Sequence, residues 1–131
     1  MSETYHDPEL AAAGKAVQEQ LWGPMTGGGG GPGFPAARLA PEFFQLVQQF
    51  AFGMFWARPG LATRDRSLVT VSQLAALGKT EELKAHLRGA LNVGLTREEL
   101  VEMLMQTAVY AGVPAAVNAL NAAAEVLAPP E

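Results

Sequence analysis

Thr80-Glu81-Glu82-Leu83-Lys84-Ala85-His86-Leu87-Arg88-Gly89-Ala90-Leu91-Asn92 is the stretch on which the fold turns. Leu83, Leu87, Ala90 and Leu91 recur at helical spacing and share one inward stripe of an α-helix. No alternation of period two runs through the segment, so it does not read as a half-buried strand. Thr80 is the expected cap, and the helix is expected to stop near Gly94. His86 falls inside the apolar stripe, and Glu82 lies one turn before it on the same side.

The pattern repeats outward from this helix. Asp7-Pro8-Glu9-Leu10 reads as a helix start, running to about Trp22 before Gly23-Pro24. Pro41 opens a helix expected to end near Trp56, and Arg58-Pro59-Gly60 is a hard turn. Thr63 is expected to cap a helix that stops at Gly78. Thr96-Arg97-Glu98-Glu99 is a capping box that opens the next helix. Gly112 and Pro114 separate that helix from a last, alanine-rich one. Short connections between helices predict antiparallel neighbours, hence an all-α, compact antiparallel bundle of about six helices. Gly27-Gly28-Gly29-Gly30-Gly31-Pro32-Gly33 predicts a flexible linker. Residues 1–35 are therefore expected to form an N-terminal helix and linker, and residues 36–131 the helical domain.

Composition narrows the function. Hydrophobic residues make up 49% of the 131 and charged residues only 17%, an apolar excess that suggests surface buried between copies of the chain. The net charge of −4 argues against a nucleic-acid partner. No run approaches the ~18 apolar residues of a membrane span. The polar, acidic N-terminus is unlike a secretory signal, so a cytoplasmic location is the expectation. Cysteine is absent, which excludes disulfides, thiolate nucleophiles and thiol redox cycling. The two histidines show no metal-ligand spacing, so no metal is expected.

The helix faces nominate a site. On the second long helix Phe43, Phe44, Val47, Phe50, Met54 and Phe55 form the expected core face, while Phe52 and Trp56 fall on the side of Gln45, Gln48 and Gln49. Aromatics on a polar side mark a pocket wall, a subunit contact or a cover under the glycine-rich segment. Arg58, Arg64 and Arg66 concentrate positive charge, the latter two in a first helical turn where the dipole disfavours cations. They read either as an anion site or as a solvated helix start. His86 reads either as a general acid or base near neutral pH, oriented by Glu82, or as a hydrogen-bonded core histidine. Tyr110, Gln106 and Glu102 form the polar line of a helix whose other sides are apolar and expected to be buried.

From Pro41 to Leu127 the chain resembles the carboxymuconolactone decarboxylase family, in its decarboxylase-like branch. The resemblance is carried by Trp56-Ala57-Arg58-Pro59-Gly60-Leu61, Arg64-Asp65-Arg66-Ser67-Leu68-Val69-Thr70 and Leu74-Ala75-Ala76-Leu77-Gly78. It continues through Glu82 to Asn92, Gly94-Leu95-Thr96-Arg97-Glu98-Glu99-Leu100 and Gln106-Thr107-Ala108-Val109-Tyr110-Ala111-Gly112-Val113-Pro114. The resemblance implies an all-α fold assembled into homo-oligomers, trimers or hexamers, with pockets near subunit contacts. It also implies a choice between a peroxidase branch using a Cys-x-x-Cys pair, which this chain lacks, and a decarboxylase branch that needs no cofactor. The implied reaction removes carbon dioxide from a small carboxylated unsaturated lactone or related acid.

In that reading His86 matches the family histidine and handles the proton, with Glu82 orienting it. Arg58 and Arg66 match family arginines and hold substrate carboxylates, and Phe52, Met54, Trp56 and Tyr110 line the substrate site. Two positions depart from the pattern: the family usually has an acid where Met54 stands, and often cysteine where Ala111 stands. Methionine there suits a larger or less polar substrate. Two alternatives follow: a cofactor-free cyclase, isomerase or hydrolase on the same scaffold, or a non-catalytic binding oligomer.

Overall fold

The structure is a computed structural model that describes residues 6–24 and 33–127. Among the described residues it is helical throughout, with no strand. The α-helices are α1 (Pro8–Trp22), α2 (Pro35–Leu39), α3 (Pro41–Val47), α4 (Thr63–Leu77), α5 (Thr80–Asn92), α6 (Arg97–Ala111) and α7 (Val113–Leu127). A π-helix, Gln48–Trp56, follows α3 directly. The expected linker lies outside the described residues except for Gly33. The chain divides into two compact units, Met1–Thr63 and Arg64–Glu131.

In the first unit α1 starts as its sequence dictates. The Asp7 side chain accepts hydrogen bonds from the backbone N–H groups of Glu9 (3.0 Å) and Leu10 (3.1 Å), and Pro8 follows it. The expected helix from Pro41 to Trp56 departs from the α-form at Gln48. At its end the N–H of Ala57 reaches back five residues to the carbonyl of Phe52, at 2.9 Å. Such wide turns are rare and short in most proteins.

Two glycines set how α1 and the π-helix meet. A Cβ at Gly14 would stand 2.1 Å from the carbonyl oxygen of Gln48, and one at Gly53 would stand 2.2 Å from that of Leu10. Backbone therefore lies on backbone, which only residues without a side chain permit. Side chains lock the same junction: Gln48 Nε2 donates to Gln18 Oε1 at 2.8 Å, and the N–H of Asp7 donates to Gln49 Oε1 at 2.7 Å.

The crossing overturns the expected core face. Gln49, Phe52 and Gly53 are the buried residues of the π-helix, whereas Phe43, Phe50, Met54 and Phe55 are exposed. The face assignment assumed 3.6 residues per turn throughout. The wider turns rotate the later residues off that register, and the side bearing Gly53 is the one that can touch α1.

The second unit packs α5, α6 and α7 around leucines and alanines. Leu83 and Leu87 of α5 and Leu100 and Leu104 of α6 are fully buried, against Ala119, Ala122 and Ala123 of α7. Each buried leucine contributes roughly 1.5–3 kcal/mol. The alanines of α7 let its neighbours approach closely, as its composition predicts. Leu91, expected in the α5 stripe, is 40% exposed. α6 is buried along one edge rather than on several sides: Met105, Val109 and Tyr110 are exposed, because nothing in the described chain covers them.

The Thr96–Glu99 capping box forms as expected, at 3.0 and 3.1 Å. Thr80 is instead the first helical residue of α5, and Lys79 takes the cap position without a side-chain bond. Lys84 ties α5 to α7 through Glu125 at 2.9 Å, and Arg97 Nε donates to the carbonyl of Leu127 at 2.6 Å. That carbonyl lies at the end of α7, where helix geometry leaves it without an internal partner.

Replacing Gly53 by alanine is expected to destabilise the protein by at least about 2 kcal/mol, because the methyl meets a carbonyl that cannot yield. Gly60→Ala, where nothing lies within 4 Å of the added carbon, is the matched control. Urea titration of both variants decides it; equal midpoints would refute the backbone-on-backbone contact.

Candidate active site

The first unit holds four of the nominated residues. Phe52 is buried, with its ring edge-on to Trp22 of α1 (5.8 Å between centroids) and stacked on Trp56 (5.8 Å, 28°). The aromatic side of the π-helix is thus held from α1, and Trp56 inherits its orientation from Phe52. Arg58 is exposed just beyond the π-helix, its backbone N–H donating to Phe55 at 3.1 Å. Met54 lies elsewhere. It lines a cavity of about 420 Å³ with His6, Asp7, Leu10, Leu46, Gln49 and Phe50.

The second unit holds the other four. Arg66 is half-buried near the start of α4, with its Nε sealed from solvent, and its carbonyl accepts from Thr70 Oγ1 at 2.8 Å. Arg64 has a different fate: it pairs with Glu99 and lies 3.7 Å from Asp65. Its charge at the helix start is answered by carboxylates of the chain itself. Glu99 is held below the usual carboxylate range by the Thr96 backbone N–H and by Arg64.

His86 stands on α5 between two buried strips, Leu83 with Ala90 on one side and Ala85 with Gly89 on the other. The residue keeps some surface, but its Nδ1 is fully buried. Burial pushes its pKa down from 6.5 to about 4, because a charged ring loses its hydration there. A carboxylate paired to the ring would act in the opposite sense, and Glu82 is exposed on the first turn of α5. At neutral pH the imidazole is therefore uncharged. An anion brought beside it would raise its pKa toward the range where it holds a proton.

Tyr110, 90% exposed, lines a groove of about 480 Å³ between α4 and α6, together with Leu68, Ser72, Met103, Gln106 and Thr107. His86 is not part of that lining. Ser72 and Thr107, both in that lining, each donate to a carbonyl of their own helix, at 2.8 and 3.2 Å. Sequence reading missed Ser72 and Thr107, since a hydroxyl in mid-helix carries no positional signal. It also passed over His6 and Gln49, which only the approach of α1 to the π-helix brings beside Met54.

The model of the carboxymuconolactone decarboxylase family matches residues 41–125. A 4-carboxymuconolactone decarboxylase from Acinetobacter baylyi is 45% identical over 85 residues, covering 65% of this chain and 63% of that protein. A nitrosuccinic acid decarboxylase from Metarhizium robertsii is 38% identical over 76 residues, 58% of this chain and 53% of that protein. An uncharacterized 15.0 kDa protein from Paracoccus denitrificans is 31% identical over 93 residues, 70% of this chain and 69% of that protein. The chain thus spans less than two thirds of each of the two decarboxylases it matches.

The depressed His86 pKa has a stability consequence. The unfolded chain binds a proton at this residue near pH 6.5 and the folded chain only near pH 4, so acidification favours unfolding across that window. The associated stability is present above pH 6.5 and is lost as pH falls to 4, to a total of about 3 kcal/mol. His86→Gln should flatten this part of the profile. Urea midpoints at pH 7, 5.5 and 4.5 check it, and parallel profiles for the two proteins would contradict a buried, neutral imidazole.

Proposed function

Since the chain belongs to the carboxymuconolactone decarboxylase family, we propose that it is a cofactor-independent carboxy-lyase acting on a small organic acid. The observation that carries the reading is His86, an imidazole sealed at Nδ1 on a helix of the family-matched region. The two named decarboxylases among the relatives suggest the kind of acid. One is named for a carboxylated unsaturated lactone and the other for a nitro-substituted succinate. Both compounds combine a carboxylate with a strong electron acceptor. The proposed substrate shares that arrangement, with its leaving carboxylate placed so that the acceptor can take the electron pair.

The bond between the carboxylate and its carbon breaks, and carbon dioxide leaves. The electron pair moves into the conjugated carbonyl or nitro group, so the substrate supplies its own electron sink. Hydrogen-bond donors at the oxygen of that acceptor would each be worth about 2.7–4 kcal/mol. A proton then returns to carbon. In this reading Arg58 and Arg66 bind carboxylates, an interaction suited to the planar guanidinium. The bound anion raises the pKa of His86, and the resulting imidazolium delivers the proton, a contribution of roughly 10²–10⁴-fold. Phe52, Trp56 and Tyr110 would contact the substrate's less polar parts. The exposed apolar residues of both units, among them Phe43, Phe55, Val109 and Val113, support assembly into a homo-oligomer.

Purified protein supplied with 4-carboxymuconolactone or nitrosuccinate is expected to release carbon dioxide. His86→Ala should lower kcat at least about 100-fold, while Arg66→Met should act chiefly by raising KM. Full turnover by the His86 variant would remove that residue from the mechanism. Absence of turnover on both acids would move the substrate outside this class. Light scattering during size-exclusion chromatography tests the assembly, and a mass of 13.8 kDa would refute it.

A further inference from the structure

The cavity between the start of α1 and the outer side of the π-helix has chemistry of its own. Its apolar wall is Leu10, Leu46, Phe50 and Met54, and its polar end is His6, Asp7 and Gln49. At about 420 Å³ it falls within the size range of small-ligand sites, which are mostly apolar with a few placed polar groups. Leu46, Phe50 and Met54 are 42%, 60% and 44% exposed, so three apolar side chains that could have packed inward converge on one opening.

Beside His6, the polar end offers the amide of Gln49 and the carboxylate of Asp7. Gln49 is committed: its Oε1 accepts from Asp7 N–H and its Nε2 donates to the carbonyl of Gln45 at 3.1 Å. Asp7 uses Oδ1 for the two N–H groups of α1, and Oδ2 makes no hydrogen bond among the described residues. The positive end of α1 is thereby already answered from within the chain, and an arriving anion would meet a carboxylate instead. Phe50 adds an aromatic ring to the lining and makes a T-shaped contact with Phe55 at 5.3 Å between centroids. A carboxylate, an aromatic ring and a polarizable thioether around one opening suit an ammonium group on a short apolar body.

We propose that this cavity binds small organic cations, primary ammonium compounds carrying an aromatic or short alkyl group. The head group pairs with Asp7 Oδ2 and the body lies against Phe50 and Met54. The site belongs to the first unit alone and does not depend on the lyase reading. It also gives Met54 a role separate from the acids that Arg58 and Arg66 would hold.

The test uses the full chain labelled with ¹³C at its methionine methyl groups, with Met54→Leu assigning the Met54 signal. Three probes of one shape are titrated: benzylammonium, benzyl alcohol and benzoate. Benzylammonium is expected to shift the Met54 signal saturably, with benzyl alcohol at least about tenfold weaker and benzoate weaker still. Asp7→Asn keeps a good helix cap and so preserves α1, yet should cost benzylammonium at least about fivefold in affinity and leave benzyl alcohol unchanged. Equal binding of the alcohol, preference for benzoate, unchanged affinity in Asp7→Asn, or no saturable shift at Met54 would each overturn the proposal.

Discussion

A carbonyl oxygen and a methyl group cannot occupy the same space, and the first unit is arranged around that fact. Where α1 crosses the π-helix, Gly14 faces the carbonyl of Gln48 and Gly53 faces that of Leu10. The contact fixes which side of the π-helix is inward. With Gly53 against α1, Gln49 and Phe52 must go inward with it, and Met54 and Phe55 must turn outward. Trp22 then reaches Phe52, and Phe52 sets Trp56. The order of the aromatic side chains, and the cavity at Met54, follow from two missing side chains.

The limits of sequence reading trace to the same crossing. Asp7, Pro8, Thr96 and Glu99 act through their nearest neighbours, so their caps were legible from spacing alone. Leu83, Leu87 and Ala90 obey an undisturbed α-helical period, and their burial was legible too. Phe50, Met54 and Phe55 were not, because the period changes in mid-helix and no residue type announces a π-turn. Gly53 was the available signal: a glycine inside an apolar helical run asks what approaches its backbone. The exposed side of α6 misled for another reason. Its apolar residues satisfy the pattern of a buried helix, but burial also needs a partner surface, and that is not written in the helix itself.

The site was legible in part. His86 is where its stripe placed it, half-buried on α5, but its environment is drier than a catalytic pKa near neutrality implies. Desolvation depends on everything packed around a ring, which spacing cannot weigh. Arg64 and Arg66 looked alike in the sequence, two cations at one helix start. The fold separates them: Glu99, brought alongside by the α6 capping box, takes Arg64, while Arg66 loses solvent at Nε. Glu99 thus serves two elements at once, closing the start of α6 and answering a charge on α4.

The passage from α6 to α7 is a single residue, Gly112, between Ala111 and Val113. Its φ of 100° lies where residues with a side chain are strained. These two helices have almost no chain to search through before they meet. The contact of Arg97 with Leu127 closes the pair over a separation of only 30 residues. Local closure of this kind is the topology of fast folders, which acquire structure in microseconds to milliseconds. The α6–α7 pair is thus suited to form early and to offer α5 a finished alanine surface.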